Sequence, residues 1–475
     1  MLASGVSHGC QEPRGAVMTP NRQLDRSVSE SWWRPDPVVD LNGQSSVTAT
    51  VTPDADASAV PFWALMCFSF VLLIAPQEIF PVLAPLRIAL LAAFVAIITY
   101  LLDRFRRRQS LTLLTREIWI SAGLMGWAIT TVPLSSWPGG SVAFLLKFYL
   151  KSLAIFWLLS NVVSTLTRLR QVVWGLSLMA VPLAGTAVGN FLSASFLPGL
   201  AAHAPQRIVG YDAPLTGNPN DLALMLNLII PLSVALLLTV QRPALRVLLV
   251  AVIALDVLAV IVTFSRGGFL TLAAMLGVYV WKLRGRPQRT WAWAALALAL
   301  ACLPLLPSGY VDRLATITNM DSDVTRSARL RWDDTVTGVK FVLANPLVGG
   351  GVGMNALTLN HERGFGWSAI HNVYLEYAVE LGIPGLILFL LLLVGCVKSV
   401  AVVQRRCAGV PALRDLFYLA EGIQISLIAF SLAAFFHPVA YHLYFYYIAA
   451  LAVAAHSVAM VAGIDPDAAQ CGGSV

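Results

Sequence analysis

Residues 246–264 read R-V-L-L-V-A-V-I-A-L-D-V-L-A-V-I-V-T-F, and just beyond Ser265 and Arg266 a second apolar run covers 267–282. A helix needs about 20 mostly apolar residues to cross a hydrocarbon core roughly 30 Å thick. In lipid the backbone can satisfy its polar groups only within helices or closed barrels, and unbroken runs of this length point to helices. Comparable runs lie near 60–77, 81–102, 118–133, 142–160, 171–192, 221–240, 291–306, 372–397, 416–436 and 442–462. The expected fold is therefore an all-α, polytopic membrane helical bundle of about twelve transmembrane helices with one large outer loop. Composition agrees: 57% of the 475 residues are hydrophobic and 12% charged, against about 25% charged in soluble domains.

Lys and Arg collect in short cytoplasmic loops of membrane proteins. With the amino terminus inside, the inward loops hold Arg104, Arg106, Arg107, Arg108 and Arg116; Arg168 and Arg170; Arg242 and Arg246; Lys282, Arg284, Arg286 and Arg289; and Lys398, Arg405, Arg406 and Arg414. The short outward connections 134–140 and 437–441 contain neither Lys nor Arg. The net charge of +7 is thus a matter of sidedness, and no basic, aromatic patch suggests a nucleic-acid partner. Cys10, Cys67, Cys302, Cys396, Cys407 and Cys471 lack C-x-x-C spacing, which supports neither a disulfide framework nor a zinc site.

Two outward segments are long, 193–220 and 307–371. The second mixes Asp312, Arg313, Asp321, Asp323, Arg326, Arg329, Arg331, Asp333, Asp334, Lys340, Glu362 and Arg363. Leu330, Val336, Val339, Phe341 and Val342 predict an amphipathic surface helix over 326–345, which Asn345-Pro346 stops before Gly349, Gly350, Gly351 and Gly353.

Several polar residues sit where chemistry could occur. Arg266, at the outer mouth between two spans, offers a planar fork that binds phosphate bidentately, and Gly267 and Gly268 would let the backbone approach a ligand; the plainer alternative is an arginine snorkelling to headgroups. Arg87, Lys147 and Lys151 lie within spans, where charge is costly. They either form a cationic pocket facing the bundle or snorkel. His371 closes the long loop, and a neutral imidazole there could take a proton from a sugar hydroxyl. His437 and His442 are equally consistent with interfacial packing, and His203 and His361 with solvated loops. Arg207 precedes Asn218-Pro219-Asn220-Asp221, which reads either as a turn and helix cap or as a polar cluster for sugar hydroxyls. No D-x-D pair or Walker loop is present.

With these residues in view, the chain resembles the O-antigen ligase and polysaccharide polymerase superfamily over about 207–390. The carriers are Arg207 with G-N-P-N-D-L-A at 217–223, S-R-G-G-F-L at 265–270, the stretch from Arg331 through A-N-P-L-V-G-G-G-V-G at 344–353, and H-N-V-Y-L-E-Y-A-V-E-L-G-I-P-G at 371–385. The resemblance implies metal-independent, cofactor-free transfer of glycan from undecaprenyl diphosphate to an acceptor hydroxyl of a glycan or lipid at the periplasmic face of a bacterial inner membrane. His371 would be the catalytic residue. Arg266, Arg331, Arg207, Lys147 and Arg87 would hold the diphosphate, and Asn218, Asn220 and Asn372 would touch substrate. Arg326 and Arg329 lie within two helical turns of Arg331.

The expected organisation is a disordered cytoplasmic tail at 1–58, helices one to nine at 59–306, a periplasmic loop with short helices at 307–371, helices ten to twelve at 372–463, and a cytoplasmic tail at 464–475. Membrane lipids and polysaccharide-export partners are the further expected associates. The competing reading is a transporter or flippase for a lipid-linked glycan. That class shows internal symmetry and discontinuous helices, neither of which stands out in the sequence.

Overall fold

The computed structural model describes residues 58–196, 207–208, 210–211, 213–306, 310, 327–360, 363 and 367–461. Both expected tails, apart from a few boundary residues, lie outside them, as do His203, His361, Asp312, Arg313, Asp321, Asp323, Arg326 and Glu362. The described chain is all-α: apart from one isolated bridge between Phe196 and Ile208 it contains no strand.

The longer helices are α1 (Ala59–Ile74), α2 (Ile88–Arg106), α3 (Arg116–Thr131), α4 (Pro138–Val162), α5 (Leu166–Leu192), α6 (Pro219–Thr239), α7 (Pro243–Val262), α8 (Arg266–Leu283), α9 (Arg289–Ala301), α10 (Ser327–Ala344), α11 (Val373–Cys407), α12 (Arg414–Ala433) and α13 (Leu443–Val461). Among the described residues, eight helical segments are long and apolar enough to cross a membrane: α2, α4, α5, α6, α7, α11, α12 with the turn before it, and α13. The protein is thus a multi-pass membrane protein. Short polar signals set the helix starts. Thr115, Thr165, Asn218, Ser265 and Asn372 each accept a backbone N–H of the first turn, and Pro138, Pro219 and Pro243 stand at the first helical position, where the missing N–H costs nothing.

The apolar windows of α6, α12 and α13 are 83%, 78% and 78% buried, that of α2 only 11%, so the first three form the centre and α2 lies at the rim. The two ends of the bundle differ in charge. At one end Arg168 donates to the Ser58 carbonyl, Arg170 pairs with Asp415, Arg414 donates to the Leu238 carbonyl, and Lys282 and Arg286 share the buried Glu421 carboxylate. The sequence-predicted basic loops therefore gather on one side. At the other end Tyr211 bonds the Ile74 carbonyl, the Ser136 N–H bonds the Gly350 carbonyl, and Arg207 bonds Asn220.

Two expectations change. Helix α10 runs close to its predicted bounds, but Asp334, Gly338 and Val342 form its buried edge, while Leu330, Trp332, Val339 and Leu343 are exposed. The glycine decides this, because a Cβ at 338 would fall 3.0 Å from Leu375 of α11. Second, α11 is discontinuous. Gly382 has φ 68° and ψ −175°, a region open to glycine alone. The break frees three carbonyls: Val379 accepts from the Gly350 N–H at 2.7 Å, Glu380 from the Gly351 N–H at 2.9 Å, and Leu381 from the Trp127 indole at 2.8 Å. The Ile383 N–H in turn reaches the Pro346 carbonyl at 2.7 Å. Gly349, Gly351 and Gly353 all have positive φ, so the glycine run predicted as a turn folds into the gap of a broken helix.

Gly382→Ala tests this arrangement, since its Cβ would lie 2.4 Å from the Leu347 carbonyl oxygen. Backbone strain alone costs about 1–3 kcal/mol. The purified variant should melt several degrees lower, whereas Gly277→Ala in α8, where a Cβ meets nothing within 4 Å, should not. Equal melting of the two variants would contradict the break.

Candidate functional site

The end of the bundle opposite the basic loops brings the four sequence motifs together. His371 precedes α11, whose first turn is capped by Asn372 Oδ1 through the N–H groups of Tyr374 and Leu375 at 3.0 and 3.1 Å. The Val373 N–H donates to the Ala434 carbonyl at 2.8 Å, tying this corner to the end of α12. His371 Nδ1 lies 2.9 Å from the Ala369 carbonyl oxygen. A carbonyl can only accept, so Nδ1 carries the proton and Nε2 keeps its lone pair.

Burial pushes the His371 imidazole down to about 4, the Arg331 guanidinium adds to the effect, and His437 and Arg363 contribute in the same direction against the Ala369 carbonyl. Arg331 from α10 and His437 from the α12–α13 connection therefore stand around His371. His437 is 2% exposed. Its Nδ1 faces the Ala433 carbonyl at 2.9 Å and its Nε2 the Asn220 carbonyl at 3.2 Å. Two acceptors on one ring favour the doubly protonated form, whereas burial, the larger influence, and Arg331 push its pKa below the ordinary value.

Asn220, through its side-chain oxygen, accepts from Arg207 at 2.8 Å. It occupies the first turn of α6, capped by Asn218 Oδ1 on the Asn220 N–H at 2.9 Å. Arg266 is the first residue of α8, partly buried, after the Ser265 cap and after Phe264, whose φ of 54° makes the turn from α7. Next to it, a Cβ at Gly267 would meet Phe436 at 3.1 Å and His437 Cε1 at 3.5 Å, and one at Gly268 would meet Ala223 at 2.7 Å. The expected ligand approach at these glycines gives way to helix packing: they let α8 close onto α6 and onto the His437 turn. Three helix N-termini, those of α6, α8 and α11, thus share one corner, each carrying roughly half a positive charge.

Helix α10 is tied down one turn beyond Arg331. Three residues along α10, Asp334 contacts Arg363 Nε at 2.8 Å, with side chains 10% and 7% exposed, and accepts from Ser368 Oγ at 3.2 and 3.0 Å. Arg363 also donates to the Ser368 carbonyl. One ion contact therefore fixes α10 to the segment that ends at His371.

Of the candidate residues, His371, Arg331, Arg207 and Asn220 come together at this corner, and Arg266 begins α8 beside the His437 turn. Asn218 and Asn372 are there as helix caps. Lys147 and Lys151 are exposed on α4, where Lys147 belongs to a π-helical turn. Arg87 is exposed in a left-handed joint before α2. Among the described residues no hydrogen bond or ion pair links Arg87 or Lys147 to the corner. In the sequence His437 is equally consistent with packing, and Asp334 and Arg363 appear only among the charges of the long loop. The three-residue step from Arg331 to Asp334 was the available clue to the second of these, but nothing local points to Arg363. Among the described residues no group of three His, Cys, Asp or Glu could hold a metal ion, and Cys67, Cys302, Cys396 and Cys407 are free thiols.

Residues 249–390 match the family model described as O-antigen ligase, so this segment is O-antigen-ligase-like. The match begins within α7 and ends within α11, and it takes in Arg266, Arg331 and His371. No curated protein matches the chain.

Asp334→Ala would leave Arg363 buried without its carboxylate. Breaking one side of such a pair costs about 3–5 kcal/mol, here at the lower end because the Asp334–Arg363 contact is short but poorly aligned as a hydrogen bond. Chemical denaturation of the purified variant should show that loss, and Asp334→Ala with Arg363→Met should recover much of it. An unchanged midpoint in the single variant would mean the pair contributes nothing.

Proposed function

We propose that the protein transfers glycan from a polyprenyl diphosphate carrier to an acceptor hydroxyl at the outer face of a bacterial inner membrane. It would have twelve spans, both termini cytoplasmic and residues 307–371 periplasmic. The observation that carries this reading is the convergence of His371 with Arg331 and His437 beside Arg266 and Arg207, at three helix N-termini. Such a corner is suited to an anion with several oxygens. The O-antigen-ligase-like segment supports the same class of chemistry.

Diphosphate is a good leaving group, so catalysis consists of stabilising its growing negative charge and removing the proton of the attacking hydroxyl. Arg331 and Arg266 do the first, with Arg207 held by Asn220. His371 does the second through Nε2, and attack opposite the departing diphosphate inverts the anomeric carbon. In its protein surroundings alone His371 is a weak base, since burial and Arg331 hold it at about 4. A bound diphosphate brings at least two negative charges against Arg331, which removes that repulsion and raises the imidazole toward neutrality. The donor thereby activates the base that will use it.

The transporter reading gains one observation, the discontinuous α11. The carbonyls freed at its break are taken by Gly350, Gly351 and Trp127, which leaves them committed to the fold and not to a substrate. The transferase reading is therefore preferred.

In the host, deletion complemented with His371→Ala, Arg266→Ala or Arg331→Ala should give normal membrane levels of protein but lose long or attached glycan, with lipid-linked glycan accumulating. Single repeats would indicate a polymerase and finished chains a ligase; unchanged glycan in all three variants would refute the assignment. The pH profile adds a second test. For His371 the base form is lost as pH falls through its pKa. The acid limb of kcat/KM, which reports the free enzyme, should lie well below pH 6, and that of kcat should lie higher because bound diphosphate raises the imidazole. Coincident limbs would argue against activation by the donor.

A further inference from the structure

Two carboxyls on the outer part of α11, Glu376 and Glu380, are 7% and 0% exposed. They stand one turn apart and therefore on one helix face. Each is used to hold a loop. Glu380 Oε2 accepts the Gly353 N–H at 2.7 Å, and Oε1 accepts the Asn355 N–H at 3.1 Å and the Asn355 side-chain amide at 2.6 Å. With its Nδ2 committed to Glu380, Asn355 presents Oδ1 to the Ile370 N–H at 3.1 Å. Ile370 immediately precedes His371. Glu376 Oε2 accepts the Ala440 N–H at 3.2 Å, in the same connection that carries His437.

We propose that Glu376 and Glu380 are positioning residues: from one rigid face of α11 they fasten the two loops that carry His437 and His371, and so set how the imidazoles meet at the site. The inference rests on the reading that His371 acts in the reaction. The choice of residue has a physical cause. The two oxygens of a carboxyl group have room for several N–H donors, so Glu380 satisfies three at once in a water-poor interior, where an unmet N–H costs about 1–3 kcal/mol. A glutamine would turn a donor toward another donor. The break at Gly382 brings the glycine loop within reach of Glu380, because Gly350 and Gly351 are already bonded to the carbonyls of Val379 and Glu380. The fixed amide of Asn355 then carries the constraint across to the loop strand ending at His371. Neither Glu380 nor Asn355 touches the reacting atoms; together they determine where His371 stands relative to Arg331, Arg363 and His437, the charged and titratable groups facing it.

The test reads position through titration and needs no glycan. Diethyl pyrocarbonate acylates only neutral imidazole, and peptide mass spectrometry assigns the label to each histidine of the full-length protein in detergent. In the wild type, the rate at His371 should differ little between pH 8 and pH 5. In Asn355→Ala, and in Glu380→Gln where it folds, the loop is released toward water. His371 then returns toward its ordinary pKa, and its rate at pH 5 relative to pH 8 should fall about tenfold. Glu376→Gln should increase labelling of His437 while leaving the His371 ratio in place. Ser426→Ala, which removes a buried hydrogen bond to the Leu228 carbonyl far from these loops, should lower the melting temperature without moving either readout. An Asn355→Ala protein with the wild-type ratio at His371 would overturn the Glu380 half of the proposal, and unaltered His437 labelling in Glu376→Gln the other half. Either result is independent of the glycan phenotype of His371→Ala, which tests the transferase reading itself.

Discussion

A membrane-spanning helix can be interrupted only if every backbone group released by the break finds another partner within the protein. Helix α11 meets that condition by recruiting a loop. The carbonyls of Val379, Glu380 and Leu381 are taken by Gly350, Gly351 and Trp127, and Ile383 bonds back to Pro346. Only residues without a Cβ fit there: side chains at Gly349 or Gly382 would collide with backbone at 2.6 and 2.4 Å. The segment 346–355 is therefore anchored in the bundle, and the path from it to His371 is anchored with it.

The electrostatics of the His371 corner depend on that anchoring. Four guanidinium groups, those of Arg207, Arg266, Arg331 and Arg363, are gathered with the carboxylates of Asp221 and Asp334 at the positive ends of three helices. One ion contact, Asp334 to Arg363, is spent on joining α10 to the His371 segment. What remains is an excess of positive charge around two imidazoles, and burial together with Arg331 keeps both below their ordinary pKa. Such an arrangement of charge is what the proposed polyanionic donor would require. The opposite end is organised differently, with Lys282 and Arg286 closed onto the buried Glu421.

Some of this was legible in the residues. Long apolar runs gave the helices, because lipid permits little else; loop charge gave the grouping of the ends; and Asn218 was readable as a cap, since a side-chain oxygen before an apolar run satisfies an otherwise unpaired N–H. The motif residues His371, Arg266, Arg331, Arg207 and Asn220 were legible as chemistry. The placements of Lys147 and Arg87 were not, because an apolar run records that a charge is present without recording which way it faces.

Sequence alone thus determined the solvent, the helical class and most of the candidate side chains of the site, each of which is set by local composition within one or two helical turns. Tertiary structure alone decided the rest: that α11 breaks at Gly382, that Gly267 and Gly268 serve packing, that His437 and Arg363 join His371, and that Glu380 reaches it through Asn355. Each of these depends on contacts between segments far apart in the chain, with Asn220 and His437 separated by more than two hundred residues. Which donor meets which acceptor across such distances is fixed by how the helices pack, and no periodicity within a single segment encodes it.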